Sequence, residues 1–140
     1  MGFKERLIHS ILFEFMLIVI FTFILKYITK QEIEKVLTLV VLLSFTAVVW
    51  NFIYNWIFDK YITGPREERS LKIRSIHAIL FEIGLLLPTL PLIAYFLKIS
   101  LLEAFIMDIG FIAFVLVFTV IYNYIYDRAR LVFIDKNTDI

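Results

Sequence analysis

The sequence predicts an all-α membrane protein in which four transmembrane helices form two parallel-duplicated helical hairpins. Its composition, the length of its apolar stretches and an internal repeat all support this fold class. Of the 140 residues, 61% are hydrophobic and 15 are Phe. This is more apolar surface than a soluble core of that size can bury. Lipid must therefore form part of the solvent of this chain.

Four apolar stretches lie at about 8–29, 36–58, 76–97 and 102–125. Each is close to the roughly 20 residues with which a helix crosses a bilayer. Helices also satisfy their backbone hydrogen bonds internally, as lipid requires. The first stretch is too long for a signal peptide and has no small-residue cleavage site, so we expect it to remain in the mature protein.

An internal repeat relates the two halves of the chain at an offset of 68 residues. The matched residues are Arg6, His9, Phe13 and Glu14 with Arg74, His77, Phe81 and Glu82, and Tyr54, Asn55, Ile57 and Asp59 with Tyr122, Asn123, Ile125 and Asp127. Each copy is interpreted as one helical hairpin. We therefore predict a first transmembrane pair at 1–63, a connection at 64–75 that starts with a Gly-Pro turn, and a second pair with a short tail at 76–140.

Basic residues gather at the two ends of the chain and in its central connection. They are Lys4, Arg6, Arg128, Arg130 and Lys136 at the ends, and Lys60, Arg66, Arg69, Lys72 and Arg74 in the centre. This pattern predicts that the N and C termini are cytoplasmic. Two crossings per copy leave both copies in the same orientation, so the duplication is parallel and not inverted. The net charge is only +1, and we expect no binding of nucleic acid.

Acidic residues inside the apolar stretches indicate a functional site. A charge at membrane depth costs about 2.5–3.5 kcal/mol unless it faces a cavity or a partner. Glu14 lies eight residues inside Arg6, which is about 12 Å along a helix axis. A carboxyl group in apolar surroundings can exchange protons near neutral pH, and an organic cation that binds its ionised form competes with the proton. Glu14 is therefore predicted to couple a proton to a cationic substrate.

Antiparallel pairing within each hairpin predicts which polar side chains meet. In the first copy the expected partners are Glu14 with Asn51, and His9 with Asn55 or Asp59. In the second copy they are Glu82 with Thr119, and His77 with Asn123 or Asp127. Asn51, Asn55 and Asp59 are spaced by four and share one helix face, with Trp50, Tyr54 and Phe58 in a stripe beside them. With Asp108 near the outer surface, these residues would form a polar track across most of the membrane.

At these motifs the chain resembles the proteobacterial antimicrobial compound efflux family, which is built from tandem bacterial transmembrane pair domains. The resemblance covers essentially the whole chain. It rests on Arg6, His9, Phe13 and Glu14; Trp50, Asn51, Asn55 and Asp59; Arg74, His77, Phe81 and Glu82; and Asp108, Tyr122 and Asp127. It implies a multi-pass protein of the bacterial inner membrane that exports chlorhexidine-like biocides and short diamines by proton antiport. It also implies that Glu14 is the essential membrane glutamate of the family.

The other predicted site residues fall into two sets, one for substrate binding or gating and one with a motif or structural role. Substrate binding or gating is expected of Phe13, Trp50, Asn51, Tyr54, Asn55, Glu82 and Asp108, with cation–π attraction of about 0.5–2 kcal/mol from the rings. A motif or structural role is expected of Arg6, His9, Asp59, Arg74, His77, Phe81, Thr119, Tyr122, Asn123 and Asp127. As alternatives, the glutamates neutralise helix partners, the two asparagines bridge helices, and Asp108 caps the fourth helix. With one His per copy and no Cys, we expect no metal and no other cofactor.

Three functional classes stay open at this point. The first is a proton-coupled exporter of organic cations, the second is a passive channel for small cations, and the third is a membrane scaffold that transports nothing. An enzyme is the class that the sequence supports least, because no nucleophile and base pair, metal cluster or phosphate loop is visible. Four helices make a thin bundle, so a symmetric homodimer is expected. Pro88 and Pro91 are expected to kink the third helix.

Overall fold

The computed structural model describes residues 2–138, with side chains described as far as Phe133. Its four long α-helices are α1 (Phe3–Thr29), α2 (Ile33–Tyr61), α3 (Leu71–Leu97) and α4 (Leu101–Thr138), with a short 3-10 helix at Arg66–Glu68. All four helices are long and apolar enough to cross a membrane, which confirms the predicted fold class. The side chain of Lys136 in the predicted basic tail lies outside the described residues, as do Met1 and residues 139–140.

The two hairpins turn in the same way. Lys30 caps the C-terminus of α1 and Lys98 that of α3. These are equivalent positions of the repeat, and both residues adopt left-handed backbone angles, with φ of 55° and 53°. The N–H groups of these two residues bond to the carbonyls of Lys26 and Ala94. A left-handed residue at this position ends a helix and reverses the chain. The repeat seen in the sequence is therefore also a repeat of backbone conformation.

A capping box begins α4. The Glu103 N–H donates to Ser100 Oγ at 3.1 Å, and the Ser100 N–H donates to Glu103 Oε2 at 2.9 Å. These two bonds satisfy amide groups that the first turn of a helix leaves free. The alternative in which Asp108 caps the fourth helix is wrong, because α4 has already made two turns before it reaches Asp108.

The helices pack most closely near the hairpin turns. We call the end with these turns the hairpin end, and the end with Gly2 and the 62–70 connection the terminal end. In the hairpin half, one apolar cluster joins α1 to α2 and contains Phe21, Leu25, Val36 and Val40. A second cluster joins α2, α3 and α4 and contains Leu39, Ile93, Leu97 and Ala104. Met107 and Phe111 of α4 pack against both clusters, so the two hairpins share one core.

In the terminal half, each helix contacts the other copy of the repeat. The Tyr54 hydroxyl on α2 donates to the His77 carbonyl on α3 at 2.8 Å. The equivalent Tyr122 hydroxyl on α4 donates to the His9 carbonyl on α1 at 2.9 Å. The two interfaces thus repeat each other around a pseudo-twofold relation between the hairpins.

The expected pairing of the histidines within each hairpin is wrong. His9 Nε2 lies 2.9 Å from Asn123 Oδ1, and His77 Nε2 lies 3.0 Å from Asn55 Oδ1. The offsets along the chain predicted the depth of each residue but not its neighbour. Within the described residues, the buried apolar clusters that join helices of one hairpin lie in the hairpin half, whereas the hydrogen bonds of the tyrosines and histidines in the terminal half join helices of different copies.

An aromatic stripe lines each of these interfaces. On α2, the rings of Trp50, Tyr54 and Phe58 follow one another at 5.5 and 5.8 Å, and Phe58 meets the ring of His77 at 4.6 Å. The counterparts on α4 are Phe118, Tyr122 and Tyr126, at 5.8 and 5.9 Å, with Tyr126 at 4.4 Å from the ring of His9. The stripes therefore hold the two copies together.

Candidate functional site

A cavity of about 430 Å³ is lined by all four helices. Its polar lining consists of Glu14 from α1, Ser44 and Asn51 from α2, Glu82 from α3 and Asp108 from α4. The rest of the lining is apolar and includes the rings of Phe21, Phe81 and Phe111. The structure thus brings the three predicted membrane acids, each on a different helix, into one cavity.

Among the described residues, no basic side chain lines this cavity. In the described part of the chain, none of its three acids forms an ion pair, and all three are half-buried. Like charges close together in apolar surroundings oppose one another's ionisation, and a bound proton or an organic cation relieves that repulsion. The cavity therefore suits cationic ligands. Within the described residues, no group of three or more His, Asp and Glu is arranged to hold a metal ion.

Asp108 has a hydrogen-bond partner that the first copy of the repeat lacks. Thr89 Oγ1 lies 3.1 Å from Asp108 Oδ2 and 3.0 Å from the Leu85 carbonyl. Only 5% of Thr89 is exposed. The equivalent positions in the first copy hold Phe21 and Val40, so this polar pair makes the cavity asymmetric.

Sequence reasoning missed several contributors to the site. Thr89 stands between two prolines, but no motif or repeat match points to it. Ser44 is a small polar residue in an apolar stretch and belongs to no motif or repeat match. Phe21 and Phe111 line the cavity but cannot be told apart by sequence from the many Phe residues that contact lipid. Only the packing of the helices selects these residues.

Asn51 and Asn55 differ in what they contact. Asn55 Nδ2 donates to both the backbone carbonyl and Oδ1 of Asn51, each at 2.7 Å. Asn55 Oδ1 in turn faces His77 Nε2 on α3. Asn55 therefore bridges two helices, whereas Asn51 lines the cavity.

The predicted meeting of Glu82 with Thr119 is not observed. Glu82 lines the cavity, but Thr119 is absent from the lining. The Thr119 hydroxyl donates to the Val115 carbonyl at 2.6 Å, within its own helix. A hydroxyl satisfied by the preceding turn has no proton left for a partner on another helix.

The aromatic residues predicted to contact substrate lie mainly between helices. Trp50 Nε1 donates to the Phe81 carbonyl at 3.0 Å, and Tyr54 packs on the ring of His77. Phe13 packs on Phe118 at 5.3 Å. None of Trp50, Tyr54 and Phe13 is among the residues that line the cavity, whereas Phe81 is.

At the terminal end, ion pairs link α2 to the connection that follows it. Asp59 accepts hydrogen bonds from Arg66 and from Arg69, the latter at 2.6 Å. Arg74 donates to the backbone carbonyls of the short 3-10 segment and of Arg69. Asp59 thus pairs with interfacial bases, as its structural role predicted, although Arg74 is not one of them. The cavity lining does not reach Asp59, so the expected polar track is interrupted.

On the other side of the terminal end, Glu5 of α1 pairs with Arg130 of α4. Arg6 and Asp127 are the repeat counterparts of Arg74 and Asp59, and neither forms an ion pair within the described residues. The tyrosine and histidine contacts of the two interfaces follow the repeat, but α2 and α3 pack together much more extensively than α1 and α4 do, and the ion pairs at the terminal end differ. In the first copy, the bases that pair with Asp59 come from the connection that follows α2.

Comparison with known proteins identifies the family. The sequence profile of the chlorhexidine efflux transporter family matches residues 1–63 and again residues 69–132. A relative from Acinetobacter baylyi, named a short-chain diamines transporter, is 40% identical over 124 residues, which are 89% of this chain and 88% of the relative. Proteins of the same name from Acinetobacter baumannii and Vibrio parahaemolyticus are 41% and 37% identical over 125 and 127 residues.

These two relatives are covered to 87% and 91% of their own lengths, and they match 89% and 91% of this chain. No solved structure gives a significant match. The two profile matches fall on the two copies of the repeat, and the resemblance read from the motifs is confirmed. Together with four membrane-spanning helices, the family indicates a multi-pass protein of the bacterial inner membrane, and a transporter rather than an enzyme. This chain belongs to the chlorhexidine efflux transporter family.

Proposed function

We propose that this protein exports small dicationic compounds, short-chain diamines and chlorhexidine-like biocides, in exchange for protons, and that Glu14 couples the two movements. The observation that carries the proposal is a cavity between the four helices whose described lining holds three acids from three helices and no base. The names of the family and of the relatives agree with such substrates.

Competition between proton and cation supplies the coupling. The ionised Glu14 carboxylate attracts an ammonium group, and protonation removes that attraction, so each ligand weakens the binding of the other. Antiport follows when the loaded forms alternate between the two sides of the membrane. The apolar walls strengthen both interactions because they keep water away from the carboxylate.

The cavity fits a diamine in size and in charge. Its volume of about 430 Å³ lies in the range of roughly 300–1,000 Å³ that small-molecule sites occupy. Because the acids are on different helices, the two ammonium groups of one diamine can each meet a carboxylate, while its methylene chain lies against Phe21, Phe81 and Phe111. Chlorhexidine also has two cationic groups but is much larger, and its passage requires a wider opening of the bundle.

The passive cation channel gains no support from the described residues. A pore needs polar groups along its whole length, but the cavity lining ends before Asp59, whose carboxylate is held by Arg66 and Arg69. The proton-coupled exporter is therefore the better reading of this site.

Binding and transport together test the proposal. We would measure binding of 1,4-diaminobutane and chlorhexidine to the purified protein from pH 5 to 9, and diamine-driven proton movement in proteoliposomes. We expect binding that strengthens as pH rises and that is lost in Glu14→Gln. The exposed acid Glu68 offers a matched control, and Glu68→Gln should behave as the parent. Diamine flux without proton movement would support the channel, and binding that ignores both pH and Glu14→Gln would assign Glu14 a structural role.

A further inference from the structure

Three polar side chains form a hydrogen-bonded chain that ends in the cavity. His77 Nε2 lies 3.0 Å from Asn55 Oδ1, and Asn55 Nδ2 lies 2.7 Å from Asn51 Oδ1. Asn55 Nδ2 also donates to the Asn51 carbonyl. An amide oxygen only accepts and an amide nitrogen only donates, so His77 Nε2 carries the hydrogen in this chain. Both ends of the Asn55 amide are occupied, which holds its orientation.

The orientation of Asn55 decides which group Asn51 presents to the cavity. Asn51 accepts the bond from Asn55 on Oδ1, and within the described residues its Nδ2 makes no hydrogen bond. An amide N–H cannot bind a cation, but it can donate to an ionised carboxylate. The titratable groups of the cavity lining are Glu14 on α1, Glu82 on α3 and Asp108 on α4. The Asn51 Nδ2 group is therefore able to donate to an ionised carboxylate of the cavity, but it cannot bind the cation.

The other copy of the repeat lacks this connection. His9 and Asn123 form the equivalent bond between α1 and α4 at 2.9 Å. The next residue along the α4 face, in the place of Asn51, is Thr119, whose hydroxyl bonds within its own helix. The His9 and Asn123 pair therefore bridges two helices without reaching the cavity, and it is a matched internal control.

We infer that His77 and Asn55 are positioning residues, which hold Asn51 with its amide hydrogens free for an ionised carboxylate of the cavity. The inference rests on the proposed function, because it assumes that cation and proton compete at that carboxylate. A hydrogen bond to the charged form of a carboxyl group favours that form. Loss of this donor should raise the pH of half-maximal cation binding by about one unit.

The test compares the two histidine and asparagine pairs in the purified full-length protein. Binding of 1,4-diaminobutane would be followed from pH 5 to 9 for His77→Leu and Asn55→Leu, and for the controls His9→Leu and Asn123→Leu. We expect a higher midpoint pH in the first two variants only. All four variants should lose thermal stability by similar amounts, because each removes one bond between helices. His77→Gln keeps an N–H at a similar reach and should restore the parent midpoint.

Asn51→Leu keeps the test decisive if the bridging variants fail to fold, since it leaves the His77 and Asn55 bridge intact. It should raise the midpoint as much as Asn55→Leu does. Equal midpoints in the His77 and His9 variants, or an unshifted midpoint in Asn51→Leu, would overturn the inference alone. A parent protein whose binding does not depend on pH, or a pH dependence that survives Glu14→Gln, would overturn the proposed function together with it.

Discussion

The indole ring of Trp50 on α2 packs directly against Gly84 on α3. A Cβ atom at Gly84 would overlap the six-membered ring of Trp50, with Cε2 only 3.1 Å away. The indole Nε1 donates to the Phe81 carbonyl in the same interface. Pro88 also deprives the Gly84 carbonyl of its usual amide partner, although α3 continues through Pro88. The small residue thus lets α2 and α3 approach closely beside Glu82.

Gly84→Ala should therefore destabilise the protein. Forcing a methyl group into this contact should cost about 1–3 kcal/mol, since the rigid indole has to move. Thermal unfolding of the purified protein in detergent would measure the loss. Gly110→Ala is the matched control, because nothing lies within 4 Å of a Cβ at that helical position. There the substitution should be neutral or should stabilise α4 by up to about 1 kcal/mol. Equal effects at the two glycines would contradict the packing described.

The two tyrosine bonds between helices should be equivalent. Tyr54→Phe and Tyr122→Phe each remove one hydroxyl bond to a histidine carbonyl. Such bonds in membrane proteins contribute about 0.6 kcal/mol on average and up to about 1.7. We expect similar losses for the two variants and an additive loss for the double variant, measured by denaturant unfolding in mixed micelles. Exposed Tyr124→Phe is the control. A marked difference between the two single variants would show that the pseudo-twofold relation does not extend to energetics.

Asp108 should distinguish diamines from monoamines. If it receives the second ammonium group, Asp108→Asn should weaken binding of 1,4-diaminobutane by roughly tenfold to a hundredfold, and binding of butylamine much less. Thr89→Val should have a smaller effect, because the carboxylate remains. Calorimetric titration at a pH near 8 measures both ligands.

Glu34→Gln, which changes an exposed acid outside the cavity, is the control for Asp108→Asn. An equal loss for both amines would mean that Asp108 contributes only to the overall field of the cavity.

Asp59 should hold the connection between the two hairpins. In Asp59→Asn the ion pairs with Arg66 and Arg69 are lost, so hydrogen exchange in residues 62–70 should accelerate. Any loss of global stability should come mainly from Arg69, whose side chain is only 12% exposed, because the pair with the largely exposed Arg66 contributes little. Hydrogen-exchange mass spectrometry would report both. Asp127→Asn, at the equivalent repeat position, should leave hydrogen exchange in the connection unchanged. Unaltered exchange in Asp59→Asn would show that the ion pairs of Asp59 do not hold the connection.

Local composition predicted the four helices well but their ends less well. The first apolar stretch starts at about residue 8, whereas α1 begins at Phe3, and the fourth ends near 125, whereas α4 continues to Thr138. Hydropathy marks the part of a helix that lies in lipid, whereas backbone hydrogen bonding continues through charged residues beyond it. The cytoplasmic position of the termini, the domain boundaries and the homodimer stay predictions.

The sequence by itself determined the four spans, the duplication and the position of Glu14, Glu82 and Asp108 inside apolar stretches, since hydropathy and charge act residue by residue. Only the tertiary structure decided that His9 meets Asn123 and His77 meets Asn55, because the neighbour of a helix face depends on how whole helices cross and pack. The same packing brought three acids into one cavity and left Thr119 outside it.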